Sequence, residues 1–159
     1  MLRDEIGFWT SDWFWGLLLL TGSVVLHTIG LQAIEFGFER ALSSKLNRHG
    51  HVHANILLAS VVSGVALLHS IESGIWALAY VIIGALPAPV DAIRFSLGAM
   101  TTSGADGISL SDKWKLLGGI EAMAGVLLFG VSTAFLFGIL SRLSSARREG
   151  RRHIKAVDD

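Results

Sequence analysis

The sequence predicts an all-α integral membrane protein with three transmembrane helices and one short re-entrant helix. The 159 residues are 52% hydrophobic and only 16% charged, whereas charged residues usually make up about a quarter of a soluble domain. The apolar residues lie in three long runs, as expected of a chain that is embedded in a bilayer. A short apolar segment between the second and third runs ends in a loop rich in threonine and glycine.

The composition and the missing motifs exclude several classes of function. The chain has no cysteine, so disulfides, thiolate catalysis and zinc–thiolate sites are ruled out. It contains no phosphate-binding loop, no Gly-x-Ser-x-Gly and no His-Glu-x-x-His, so we expect neither enzymatic activity nor a cofactor. The formal net charge is zero, and we expect no nucleic-acid partner. Residues 1–6 are too acidic for the start of a signal peptide, so we expect the first apolar run to be a retained anchor.

Each of the three apolar runs is long enough to cross a bilayer as a helix. Residues 13–33 would extend about 31 Å at the helical rise, which matches a hydrocarbon core of about 30 Å. Aromatic residues of the kind found at membrane interfaces mark the start of this run: Phe8, Trp9, Trp13, Phe14 and Trp15. The second run covers residues 56–85 and is ended by Pro87 and Pro89. The third run covers residues 116–140.

The segment between the second and third runs is too short to cross. Residues 90–100 would extend roughly 16 Å as a helix, which is typical of a re-entrant or interfacial segment. Non-helical backbone at membrane depth is tolerated only where it is buried in protein or lines water. We therefore expect residues 101–107 to form such a protected or water-lining loop.

The distribution of basic residues predicts the orientation in the cell (inner) membrane. Arg40, Lys45 and Arg48 lie in the first connection, residues 35–55, and the C-terminal tail carries Arg142, Arg147, Arg148, Arg151, Arg152 and Lys155. The positive-inside rule puts this connection and the tail in the cytoplasm, with the N-terminus outside. The short re-entrant segment then enters the membrane from the outside. The basic tail is also suited to contact with anionic lipid.

The order of the segments carries a resemblance to a known family. The loop has the sequence Thr101-Thr102-Ser103-Gly104-Ala105-Asp106-Gly107, with Phe95-Ser96 before it and Trp114 and Ala124-Gly125-x-x-x-Phe129-Gly130 after it. This order resembles the potassium-channel superfamily, and in particular small bacterial pore-loop channels with an extra N-terminal helix. The resemblance implies an N-terminal transmembrane helix and cytoplasmic loop (residues 1–54), a pore domain (55–141) and a basic cytoplasmic tail (142–159).

The resemblance implies a homotetramer in the lipid bilayer that conducts a monovalent cation, K⁺ or Na⁺. In such a pore the loops of four chains stack their backbone carbonyls around the ion, so the filter residues are Thr101, Thr102, Ser103, Gly104, Ala105, Asp106 and Gly107. The family pattern is T-x-G-Y-G-D, and here Ala105, Asp106 and Gly107 replace its last three residues. These departures leave the permeant ion open. Four copies of Asp106 would form an acidic ring, which favours cations.

The resemblance also suggests residues that support the filter and gate the pore. Support is expected from Arg94, through a salt bridge to Asp106, and from Phe95, Glu72 and Glu121. Gly125 is expected to bend the inner helix, and Phe129 and Phe137 are candidates for an apolar constriction on the cytoplasmic side. The glycines of the third run equally suit ordinary close packing of membrane helices.

Two other functions stay open. One is a non-conducting channel-like scaffold or regulatory subunit, and the other is a proton or metal carrier that uses His69, Glu72 and Glu121. His69 and Glu72 are spaced i, i+3 on one helical face, and ionisable residues within a membrane are functional candidates. The alternative for His69 and Glu72 is a buried pair that hydrogen-bonds a neighbouring helix. For Glu121 the alternative is an interfacial charge.

The remaining histidines form two groups. We expect His27 in the first run to make a hydrogen bond between helices. His49, His51 and His53 alternate in the first connection, and three imidazoles can bind Zn, Cu or Ni or respond to pH. We prefer a solvated loop without a metal for these three residues.

Overall fold

The protein is all-helical in the ranges that its computed structural model describes, which are residues 2–45, 50–105 and 107–158. Side chains are described for residues 12–42, 54–105 and 107–145. The helices are α1 (Leu2–Lys45), α2 (Gly50–Ile82), α3 (Pro89–Met100) and α4 (Lys115–Asp158), and a 3₁₀ turn, Asp112–Trp114, precedes α4.

Three of these helices are long and apolar enough to cross a membrane, as predicted for an integral membrane protein. The apolar segments are Asp12–Leu42 in α1, Ala54–Ile82 in α2 and Asp112–Ser145, most of which belongs to α4. Many large apolar side chains on these helices face outward, where lipid or another copy of the chain would cover them.

The helices extend further than the apolar runs predict. The predicted connection of residues 35–55 is largely helical, because α1 continues to Lys45 and α2 already begins at Gly50. Residues 38–45 contain neither glycine nor proline to end the helix. The predicted tail is likewise a continuation of α4, which runs to Asp158.

The second long helix ends earlier than Pro87 and Pro89 alone predict. Its last residue is Ile82, and Gly84 follows with a φ of 70°. The backbone N–H groups of Ala85 and Leu86 both donate to the Tyr80 carbonyl, at 2.9 and 3.2 Å. These bonds satisfy a carbonyl at the helix end, as a glycine-terminated helix commonly does.

The short helix α3 lies where residues 90–100 were predicted to form one. Ala88 is its N-cap residue, Pro89 occupies its first turn, and Asp91 there complements the helix dipole. Its buried residues are Ala92, Ser96, Gly98 and Met100. Through this face α3 packs against α2 and α4, whereas α1 packs against α2 and α4 elsewhere.

Candidate functional site

The loop after α3 has an unusual backbone. Positive φ angles occur at Thr102 (57°), Gly104 (86°) and Gly107 (83°). Glycine accepts this conformation readily, but a β-branched threonine does so at a cost in free energy. The side chain of Thr101 ties the start of the loop to α3, because its hydroxyl lies 2.6 Å from the Leu97 carbonyl oxygen and 2.9 Å from Ser103 Oγ. Residues 101–104 are exposed in the single chain.

The loop folds back closely onto α3. The backbone N–H of Gly104 donates to the Gly98 carbonyl at 3.2 Å. A Cβ atom at position 98 would lie 2.1 Å from the Gly104 carbonyl oxygen, so only glycine permits this approach. Asp106, which the resemblance makes part of a filter, lies outside the described residues, and so does its predicted salt bridge to Arg94. The Arg94 side chain is exposed.

A buried polar cluster, the Glu121 cluster, joins α3 to α2 and α4. The Tyr80 hydroxyl donates to Glu121 Oε2 at 2.6 Å, and the Ser96 hydroxyl donates to Glu121 Oε1 at 2.5 Å. Because the Ser96 proton is directed to the carboxylate, Ser73 donates to Ser96 Oγ at 2.9 Å. All four side chains are buried. Glu121 is thus a buried acceptor that holds α3 rather than an interfacial charge.

Aromatic packing reinforces the same junction. Phe95 of α3 meets Tyr80 edge to face, with ring centroids 5.3 Å apart and an interplanar angle of 90°. Trp76, Tyr80 and Leu117 are among the fully buried side chains of the surrounding apolar core. Phe95 and Glu121, two of the predicted filter-support residues, therefore lie at the α3 junction. Their support of a filter stays a prediction.

A second buried polar cluster, the His27 cluster, joins α1, α2 and α4. His27 Nδ1 lies 2.8 Å from Glu72 Oε1, and His27 Nε2 lies 3.0 Å from Ser132 Oγ. His69 Nε2 lies 3.0 Å from the same Ser132 oxygen, and His69 Nδ1 lies 3.3 Å from Glu72 Oε2. The two imidazole rings are 5.0 Å apart. The predicted helix-contact hydrogen bond of His27 is confirmed.

Glu72 belongs to the His27 cluster, and its predicted support of a filter stays a prediction. Glu72 pairs with His27 and His69, while its neighbour Ser73 is the residue that reaches α3. The His69–Glu72 pair is a buried pair, and its hydrogen bonds run through His27 and Ser132 to the neighbouring helices.

The residues predicted to bend or close the inner helix lie at separate places on α4. Gly125 is buried against the end of α3, and α4 continues through it as a helix. Phe129 stacks on His69 with ring centroids 4.3 Å apart, and Phe137 is 73% exposed. Their roles in a hinge and a constriction stay predictions.

Two of the three alternating histidines lie in a helix, and not in the predicted loop. His51 and His53 belong to the first turns of α2. His49 lies outside the described residues, as do the side chains of His51 and His53.

The sequence contains no pattern that predicts the contacts of three serines in the two clusters. Ser73, Ser96 and Ser132 are single serines in apolar helices, and nothing in their spacing indicates which helix each one faces.

No protein-family model, no curated protein and no solved structure matches this chain.

Proposed function

We propose that the chain is the pore subunit of a homotetrameric cation channel of the potassium-channel type, with an altered filter. The observation that carries the proposal is the short helix α3, inserted between two long apolar helices and followed by a loop with three positive φ angles. Such angles turn successive carbonyls in directions that a regular strand or helix does not allow. Ion filters are built from rings of backbone carbonyls that point at the ion.

Exposure of the loop supports an assembly of several copies. Residues 101–104 are exposed in the single chain, although the segment lies between membrane helices. The polar backbone of a re-entrant loop lies at membrane depth, where it needs protein or water around it. One loop per chain supplies one side of a filter, so four chains around an axis give a complete one.

The hydrogen bonds that hold α3 against α2 and α4 support the proposal. The Glu121 cluster fixes the rotation of α3 by hydrogen bonds to α2 and α4. The C-terminal end of a helix carries a partial negative charge, and α3 ends at Met100, directly before the loop. A monovalent cation, K⁺ or Na⁺, is the permeant species suited to this arrangement.

The proposed orientation follows the positive-inside rule, with the N-terminus outside the cell membrane and the C-terminus in the cytoplasm.

Flux measurements test the proposal. Purified protein whose tetrameric state is established by cross-linking is placed in liposomes, and K⁺ and Na⁺ gradients are applied in turn. We expect rapid cation flux that the variant Asp106→Asn reduces, because the acidic ring is lost. Gly22→Ala is the matched control, since a Cβ at that position meets no atom within 4 Å. A tetramer that passes neither ion would instead favour the non-conducting scaffold.

The carrier alternative receives less support from the geometry. A relay through His69, Glu72 and Glu121 needs these groups in one chain of contacts. Glu121 is bonded to Ser96 and Tyr80, whereas His69 is bonded to Ser132. Along α4, Glu121 and Ser132 are separated by roughly 16 Å of helical rise.

A further inference from the structure

The His27 cluster has a hydrogen-bond pattern that is incomplete. With Glu72 ionised and both imidazoles neutral, its carboxylate only accepts, so His27 Nδ1 carries the proton that bridges the 2.8 Å contact. His27 Nε2 then accepts from the Ser132 hydroxyl, which has no second proton to donate. Ser132 Oγ must therefore accept from His69 Nε2–H. With these charge states, this is the one proton arrangement that satisfies all three bonds.

The same arrangement leaves two lone pairs facing each other. His69 Nδ1 has no proton, and it lies 3.3 Å from Glu72 Oε2. Both atoms are buried and neither makes a hydrogen bond. An unsatisfied buried acceptor destabilises the fold, and two facing acceptors also repel each other. A cation between Nδ1 and Oε2 removes both penalties.

The spacing and the chemistry of the ligand atoms fit a transition-metal ion. Ligands bound to zinc at about 2.0–2.1 Å in a tetrahedron lie about 3.3–3.4 Å apart, and the His69 Nδ1 to Glu72 Oε2 distance is 3.3 Å. One ligand atom from each of His27, His69 and Glu72 lies within 4.8 Å of the other two. Two imidazoles and one carboxylate suit Zn²⁺, Cu²⁺ and Ni²⁺ rather than Mg²⁺ or Ca²⁺.

We propose that His27, His69 and Glu72 bind one divalent transition-metal ion of the Zn²⁺ class. Both histidines ligate through Nδ1, and binding displaces the proton that His27 shares with Glu72. Ser132 Oγ accepts from both Nε2–H groups and fixes the orientation of the rings, which is the usual role of a group behind metal-bound histidines. The ion links α1 to α2, and Ser132 carries the linkage to α4. The site does not depend on ion conduction.

The test uses a variant in which the other imidazoles are absent. The chain has six histidines, and replacing His49, His51, His53 and His153 with alanine, in protein purified without a histidine tag, leaves His27 and His69. This background variant is titrated with Co²⁺, because the visible absorption of Co²⁺ is stronger with four ligands than with six. We expect one Co²⁺ per chain, displaced by Zn²⁺. His69→Ala in this background should weaken binding by at least tenfold, and Ser132→Ala by about tenfold.

Each outcome bears on the proposal. A folded background variant that binds neither Co²⁺ nor Zn²⁺ overturns it. Equal Co²⁺ binding by the background variant and its His69→Ala derivative also overturns it, because the ion then lies elsewhere. Should His69→Ala fail to give monodisperse protein, the isosteric Glu72→Gln replaces it, with the same tenfold loss expected.

Discussion

Gly125 of α4 lies directly against the Met100 carbonyl at the end of α3. A Cβ atom at position 125 would come within 2.1 Å of that oxygen. The carbonyl belongs to the last residue before the loop, so the position of α4 and the position of the loop are coupled through this one contact. The contact gives Gly125 a packing role, independent of any bending of α4.

Gly125→Ala is therefore expected to destabilise the protein and displace the loop. Overpacking costs about 1–3 kcal/mol, which for a chain of this size lowers the unfolding temperature by roughly 3–10 °C. Thermal unfolding of purified protein measures the change. Gly130→Ala is the matched control on the same helix, because its Cβ meets no atom within 4 Å. Unchanged stability with altered conduction would favour the hinge instead.

Gly98→Ala is expected to disturb the loop itself. The added methyl group would collide with the Gly104 carbonyl, and the hydrogen bond from Gly104 N–H to Gly98 O would be lost. We expect cation flux to fall at least tenfold. Gly74→Ala on α2 serves as the control, since nothing lies within 4 Å of its Cβ. Wild-type flux from Gly98→Ala liposomes would show that this loop does not line the ion path.

Glu121→Gln is expected to loosen α3. Tyr80 and Ser96 each donate to one carboxylate oxygen, but an amide offers one accepting oxygen, so one donor loses its partner. The expected cost is about 1–3 kcal/mol in the free energy of unfolding. Tyr80→Phe should cost a similar amount, because it leaves the buried Glu121 Oε2 without its donor. The two changes should be non-additive when combined, and additive costs would contradict a shared network.

Replacement of Ala105-Asp106-Gly107 by Tyr-Gly-Asp is expected to create selectivity for K⁺. The change introduces the filter sequence of potassium channels after Gly104, which already has a positive φ. Reversal potentials or parallel K⁺ and Na⁺ fluxes measure the ratio, which should rise at least tenfold. Asp106→Asn alone should lower flux without raising that ratio. An unchanged ratio in the triple variant would argue against a carbonyl filter here.

Residue patterns alone predict the three long helices and the short one. A bilayer leaves no water for backbone groups, so long apolar runs must be helical, and their length can be read from composition. Pro89 marks the start of α3, because proline suits the first turn of a helix, whereas α2 ends earlier, at Ile82. The proximity of His69 and Glu72 also followed from helical spacing. The predicted helix ends are less accurate, because α1 and α4 continue beyond their apolar segments.

The contacts between side chains of different helices depend on how the helices pack, which the sequence patterns do not predict. The meeting of His27 with Glu72 and Ser132, and that of Glu121 with Tyr80 and Ser96, depend on the rotation and depth of each helix against its neighbours. Those quantities are set by packing, for example by Gly125 against Met100. Periodicity within one helix records which residues share a face, but not the partner helix that this face contacts.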